Sequence, residues 1–218
     1  MPNWACTRIV AYGDPKQLHE FAQLLNTMPN LENGFGRYWM GNVAATILQK
    51  SKEDIKHSKL HLRGTLNPNF YADACFFGPD VNESEEFKVD PDGKMRFSTI
   101  SAWDRSEDLE NLIKEKFPNI DFAWSCTDEF GNFHTTHNPE GFTDLDIIAL
   151  NGLQYSAEDI MTLKEDLKEY CQGLEFPENA DVDFFLSAEF KRTYSEWISS
   201  LSDTDEMDIP DFEIYEEV

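Results

Sequence analysis

Two β-to-α transitions constrain the fold of this 218-residue chain more than any other feature of its sequence. The first joins a strand-like segment at 4–12 to a helix at 15–28, and the second joins a strand at 94–103 to a helix at 106–117. Both helices carry apolar residues at helical spacing and a polar residue suited to the N-cap. Each transition therefore predicts one β-α unit.

The first helix start is the better defined of the two. In Asp14-Pro15-Lys16-Gln17, Asp14 can act as the N-cap, Pro15 suits the first helical position and Gln17 can close a capping box. At the second start, Ser106 is the expected cap.

Other periodic segments complete the order of elements. They indicate a short helix at 43–56, strands at 60–66 and 70–77, and a hairpin of 120–127 with 132–137. The shortest connections without a knot place both long helices on one face of an antiparallel sheet. We therefore predict an α+β fold with a ferredoxin-like antiparallel sheet, helices on one face and a C-terminal helical extension.

The domain organisation follows from the change to helical periodicity near residue 150. Residues 1–150 are expected to form the ferredoxin-like α+β domain, with an insertion at about 30–93. Residues 151–201 are expected to form a helical extension packed on that domain, and residues 202–218 an acidic tail.

The net charge of −24 is unevenly distributed. Residues 1–70 hold 8 Lys/Arg against 5 Asp/Glu, whereas the rest of the chain holds 10 against 37. Such a field repels nucleic acid and anionic membranes and attracts cationic surfaces. The expected partner is therefore a basic protein, without direct nucleic-acid or membrane binding, although excess carboxylate that only keeps the protein in solution is the alternative. Oligomeric state is left open.

The tail concentrates this charge, with eight carboxylates and no basic residue in 202–218. Apolar residues are interleaved with the acids, a pattern that suits a segment able to lay an apolar edge on a partner. The alternative is a tail that folds back on the helices or stays free. The candidate partner-binding residues are Asp203, Asp205, Glu206, Asp208, Ile209, Phe212 and Tyr215.

The cysteines and the N-terminus predict a cytoplasmic protein. Cys6, Cys75, Cys126 and Cys171 are far apart and lie in apolar stretches, so all four are expected to be free thiols in a reducing compartment. No signal-peptide pattern and no membrane-spanning apolar run are present in the sequence.

Several segments of residues 1–20 and 94–138 form a recognisable set. They are Met1-Pro2-Asn3-Trp4, Gly13-Asp14, Phe97-Ser98-Thr99, Trp103, Phe117-Pro118, 120–124 and 128–133. Together they resemble the YubB-like ferredoxin-like family, whose members are encoded largely on plasmids, phages and conjugative elements and have no established activity. The resemblance implies the ferredoxin-like fold and a bacterial or phage setting, and it transfers no catalytic residue.

No catalytic, metal or cofactor site is predicted. His134 and His137 point to opposite faces of a strand, and His57 and His61 lack the carboxylate of a zinc-protease helix. The one conceivable enzyme site pairs the Cys126 thiol with the His137 imidazole on one face of the hairpin.

The leading hypothesis is a non-enzymatic acidic interaction protein, a mobile-element-encoded decoy or inhibitor of a basic nucleic-acid-binding protein. The alternative is a small hydrolase or transferase that uses the thiol and imidazole face or an unrecognised carboxylate pair.

Overall fold

A computed structural model describes residues 4–28, 36–71, 85–103, 105–128, 134–201 and 209–218. The protein is α+β, as predicted. It divides into two compact units, Met1–Glu140 and Gly141–Val218, whereas the sequence had suggested a boundary at residue 150. Within the described ranges, no helix is both long and apolar enough to cross a membrane.

The N-terminal unit contains a five-stranded antiparallel stretch of sheet in the order β2-β3-β1-β4-β5. In chain order, β1, α1, β2, β3, α4 and β4 follow the β-α-β-β-α-β connectivity of a ferredoxin-like sheet. The elements are β1 Trp4–Gly13, α1 Pro15–Thr27, α2 Met40–Leu48, α3 Lys52–Lys56, β2 Gly64–Asn67, β3 Met95–Ala102, α4 Glu107–Lys116, β4 Ile120–Asp128 and β5 His134–His137.

Helices α1 and α4 cover the same face of this sheet, which confirms their predicted placement. Phe21 of α1 packs edge-on against Phe97 of β3, with ring centroids 6.3 Å apart. Ile113 of α4 belongs to the same buried cluster, together with Trp124 of β4. Because alternate residues of a strand point to one face, one stripe of each strand supplies this core.

The first helix start forms as predicted in all but one detail. Asp14 Oδ1 accepts a hydrogen bond from the Gln17 N–H at 2.9 Å, and Pro15 occupies the first turn. The predicted capping box is wrong, because the Asp14 N–H donates to the Asn119 carbonyl. Gln17 Oε1 instead accepts from the Asn119 N–H at 3.0 Å and so ties α1 to the start of β4.

Four other local predictions need correction or completion. The helix expected at 43–56 is two helices, because Gln49 adopts a left-handed backbone with φ 53°. The strand expected at 60–66 begins only at Gly64. Ser106 occupies the N-cap position of α4 as predicted, but its side chain accepts no cap hydrogen bond, and its hydroxyl donates to the His61 carbonyl. Of the strand expected at 70–77, residues 70–71 form a turn and the rest lies outside the described residues.

The hairpin of β4 and β5 has the predicted facing, with Trp124 opposite His137 and Cys126 opposite Thr135. The opposite face of the hairpin is covered as well, because Ser125, Thr127 and Thr136 are buried. The hydroxyl of Thr136 donates to the Trp124 carbonyl, so it stays hydrogen-bonded without water.

The C-terminal unit contains the predicted helices, but it also has a sheet that the sequence reasoning missed. Strands β6 Asp146–Leu150, β7 Leu153–Ser156 and β8 Phe212–Ile214 pair antiparallel in the order β7-β6-β8. The helices are α5 Ile160–Tyr170, which follows a 3₁₀ turn at Ala157–Asp159, α6 Val182–Leu186 and α7 Ala188–Ser200, and β9 Glu216–Glu217 comes last.

This unit has its own aromatic core. Phe190 of α7 lies at its centre, with its ring centroid 4.9 Å from that of Phe185 and 5.0 Å from that of Phe212. Leu163 and Leu167 complete the core from α5. Tyr170, at the end of the same helix, lies outside this core and is 38% exposed.

Candidate functional site

The C-terminal unit holds most of the net negative charge of the protein. Residues 141–218 contain 4 Lys/Arg and 21 Asp/Glu, a net charge of −17, whereas residues 1–140 contain 14 and 21, a net charge of −7. The acidity is therefore not a property of the tail alone. It belongs to a folded unit whose helices present carboxylates at fixed positions.

Helix α5 and the turn before it carry an exposed acidic stripe. With 3.6 residues per turn, positions 161, 162, 165 and 169 of α5 fall on the side opposite the buried Leu163 and Leu167, and Glu158 lies in the 3₁₀ turn that precedes the helix. All five of these side chains are exposed. We call this set the α5 face, and it consists of Glu158, Met161, Thr162, Glu165 and Glu169.

The two lysines of α5 are held by the 174–178 segment of the same unit. Lys164 Nζ donates to the Glu178 carbonyl at 3.3 Å. Lys168 Nζ lies 6.0 Å from the centroid of the Phe176 ring, within the range of a cation–π contact. In the described part of the chain neither lysine forms an ion pair with a carboxylate of the α5 face, although Lys168 follows Glu165 by three residues along the helix.

The candidate tail residues divide into two groups. Asp203, Asp205, Glu206 and Asp208 lie outside the described residues. Ile209 is 47% exposed, Phe212 packs on the aromatic core and Tyr215 is 5% exposed.

Phe212 and Tyr215, which were predicted to anchor a partner, pack within the C-terminal unit. The Phe212 ring lies 5.3 Å from that of Tyr194, and the Tyr194 hydroxyl donates to the Pro210 carbonyl. Three residues of β8 pair with β6. Residues 210–215 of the tail thus fold back on the rest of the C-terminal unit, which is the alternative that the sequence left open, and Ile209 is the candidate anchor that stays accessible.

The Cys126 thiol is poorly placed for the alternative enzymatic function. It shares a face with His137, as predicted, but Cys126 is 1% exposed. Its sulfur accepts a hydrogen bond from the Thr7 hydroxyl at 3.2 Å. A nucleophile must reach its substrate, so a sealed thiol in the core does not favour catalysis.

The other described cysteines show no disulfide. Cys6, Cys126 and Cys171 carry thiols that form no disulfide among the described residues, and Cys75 lies outside those residues. Burial raises the pKa of the Cys171 thiol to about 11, and a hydrogen bond with Tyr194 lowers that pKa in part. Cys171 therefore stays protonated near neutral pH, where a thiol is a weak nucleophile.

Two histidine pairs were weighed as metal ligands. His134 and His137 lie at opposite-face positions of β5, where they pair with Thr127 and Trp124. In the second pair, His57 with His61, the residue His61 follows α3, and its backbone N–H donates to Asp108 Oδ2 at 2.6 Å. Among the described residues, no group of three or more histidines, cysteines or carboxylates is arranged to hold a metal ion.

A small cavity lies between α4 and the sheet of the N-terminal unit, and the sequence reasoning did not find it. Its walls include the hydroxyl-bearing Thr7 and Thr99, and Arg105 and Glu110 form an ion pair at its edge. The Arg105 guanidinium stands 4.3 Å from the centroid of the Trp124 ring. The cavity volume of about 30 Å³ is that of a single water, far below the several hundred Å³ of a metabolite pocket.

The α5 face thus has the exposure and charge of a binding surface, whereas the thiol and the cavity lack the access and the volume that a substrate needs. The chain matches no protein-family model, and searches of curated proteins and of solved structures returned no match.

Proposed function

We propose that this protein is a non-enzymatic interaction protein whose acidic C-terminal unit engages a basic protein. The observation that carries the proposal is the net charge of −17 on a folded unit of residues 141–218. Close to such a surface, carboxylates in defined positions can pair with lysines and arginines of a partner and set its orientation.

The sign and size of the charge support a particular kind of partner. A field of this sign slows the approach of nucleic acid, and it accelerates the approach of a cationic protein. Proteins that bind nucleic acid present lysine and arginine surfaces that neutralise phosphates. A carboxylate-rich unit can occupy such a surface in place of the nucleic acid, so we propose that this protein acts as a decoy or inhibitor of a basic nucleic-acid-binding protein.

The resemblance to the YubB-like family supports a setting for this role. It rests on segments of the N-terminal unit, and it implies a plasmid, phage or conjugative element in a bacterium. Elements of this kind meet the nucleic-acid enzymes of their host, so an inhibitor of such an enzyme fits that setting. A cytoplasmic location belongs to the same proposal.

Displacement of nucleic acid tests this function. A labelled DNA duplex bound to a purified core histone is titrated with the full-length protein at 50 mM salt, and release of the duplex is followed by fluorescence anisotropy. We expect release at a concentration about tenfold lower than for an unrelated acidic protein of equal net charge, a difference of about 1.4 kcal/mol. Equal release by both proteins, or none, would contradict the proposal.

A further inference from the structure

Most of the large apolar side chains that are exposed in the described ranges also lie in the acidic C-terminal unit. Six of the eight most exposed large apolar residues in the described ranges belong to residues 141–218. They are Leu153, Met161, Tyr170, Leu186, Ile209 and Val218. Each of these side chains exposes apolar area to water, which does not help to keep a protein in solution. The solubility that the carboxylates provide therefore does not account for their exposure.

Met161 lies within the α5 face and is 63% exposed. Glu158 precedes it by three residues and Glu165 follows it by four, so both carboxylates neighbour it on the helix surface. Glu158 Oε1 accepts a hydrogen bond from the Thr143 hydroxyl at 2.6 Å, which fixes one of these carboxylates in place. Methionine adapts its shape to different apolar partners, so this side chain suits a contact surface.

Resting on the function proposed above, we infer that the α5 face docks a basic amphipathic α-helix of the partner protein. An apolar residue of that helix packs on Met161, and its lysines and arginines pair with Glu158, Glu165 and Glu169. Because Lys164 and Lys168 are engaged by the 174–178 segment, these carboxylates remain open to outside cations.

The spacing of the α5 face favours a helix over an extended segment. From Met161 to Glu169 the helical part of the α5 face extends about 12 Å at 1.5 Å per residue, which is just over two helical turns. Glu165 and Glu169 stand one turn apart, about 6 Å along the axis. Cations at positions i and i+4 of a partner helix have the same spacing along its axis. Alternate side chains of a strand are about 7 Å apart, so successive cations of a strand would not stay aligned with the carboxylates.

Two synthetic peptides of identical composition test the inference. Both contain fourteen residues, lysine and leucine only; one has leucines at helical spacing and the other alternates leucine and lysine as a strand does. Binding of each labelled peptide to the full-length protein is measured by anisotropy at 50 and 500 mM salt. The helical pattern is expected to bind about tenfold tighter at both salt concentrations, a difference of about 1.4 kcal/mol.

Variants of the α5 face localise the contact. Met161→Ala is expected to weaken binding of the helical peptide about fivefold at both salt concentrations, because it removes an apolar contact. Glu165→Gln with Glu169→Gln is expected to weaken binding at 50 mM salt far more than at 500 mM. Leu186→Ala and the pair Glu189→Gln with Glu196→Gln, exposed on α6 and α7, are the matched controls and are expected to leave binding unchanged. Circular dichroism checks that every variant is folded.

The outcomes separate this inference from the function on which it rests. Tight, salt-sensitive binding of both peptides to the same degree, or equal effects of the α5 variants and their controls, would overturn the helix-docking surface and leave a general affinity for basic partners intact. Absence of binding by either peptide at 50 mM salt would overturn both.

Discussion

Replacing Phe212 with alanine is expected to lower the free energy of unfolding of the C-terminal unit by about 2–3 kcal/mol. The ring is half-buried against Phe190 and Tyr194, and removal of a large aromatic side chain from a core costs about 3–5 kcal/mol when it is fully buried. Urea unfolding followed by far-UV circular dichroism and tryptophan fluorescence measures the change, since Trp197 reports from this unit.

Ile209→Ala is the matched control, because it shortens an apolar side chain in the same segment that is 47% exposed. Its expected effect is below about 0.5 kcal/mol, as for most surface substitutions. Equally small effects of the two substitutions would mean that the end of the chain does not dock on α7.

Docking of the tail also changes how its role in binding must be tested. A chain that ends at Leu201 lacks β8, the Phe212 contacts and the bond from the Tyr194 hydroxyl to the Pro210 carbonyl. Loss of binding after such a truncation would therefore report unfolding as well as loss of charge. Substitution of exposed carboxylates keeps the unit folded and separates the two effects.

Gly13→Ala is expected to destabilise the N-terminal unit by at least about 3 kcal/mol. Gly13 has φ +125°, a conformation that side-chain-bearing residues rarely adopt, and an added Cβ would stand 2.2 Å from the Asn119 carbonyl oxygen. Backbone strain of this kind costs about 1–3 kcal/mol, and the clash with rigid backbone adds to it. Thermal and urea unfolding of the variant check the magnitude.

Gly93→Ala separates strain from clash. Gly93 also has a positive φ of +82°, but nothing lies within 4 Å of an added Cβ there. It is expected to cost only about 1–2 kcal/mol, the strain alone. If the two alanine variants were equally stable, the close approach between the end of β1 and Asn119 would be refuted.

The fold of the N-terminal unit could be predicted largely because its signals are local. An N-cap at Asp14, a proline at the first helical position and apolar spacing on two helices depend only on neighbours in sequence. The failures arise where long-range contacts decide. Gln17 bonds to Asn119 and Ser106 to His61, and neither partner can be inferred from a short window.

The sheet of the C-terminal unit was missed although one of its signals is local. Asn151 and Gly152 adopt φ values of 50° and 81° in the two-residue turn between β6 and β7. Asparagine followed by glycine between apolar runs is a strong hairpin signal. The third strand, Phe212–Ile214, could not be predicted in the same way, because its partner β6 lies more than sixty residues earlier in the chain.

The candidate site was partly visible in the sequence. Charge counts alone indicate an acidic C-terminal region, and the period of α5 assigns Glu165 and Glu169 to the side opposite Leu163. The role of Phe212 could not be read from the tail, because an apolar residue between acids looks the same whether its partner is another protein or its own helix. The cavity beside Arg105 and Trp124 is lined by six separate segments and gave no sequence signal.

The most direct test of the central claim compares two sets of substitutions with the same change in charge. One variant replaces Glu165, Glu169, Glu175 and Glu178 with glutamine, and the other replaces Glu53, Glu86, Glu115 and Glu140, all of which are exposed in the N-terminal unit. Binding of each to a core histone is measured at 50 and 500 mM salt, between which the Debye length falls from roughly 14 Å to 4 Å.

We expect the first variant to bind at least about tenfold more weakly than the unmodified protein at 50 mM salt, since exposed pairs contribute roughly 0.2–1 kcal/mol each. The second variant should stay within about twofold, and the difference should shrink at 500 mM salt, where such pairs are screened. Equal weakening by both variants would show that binding follows total charge and not the acidic C-terminal unit, and it would contradict the account.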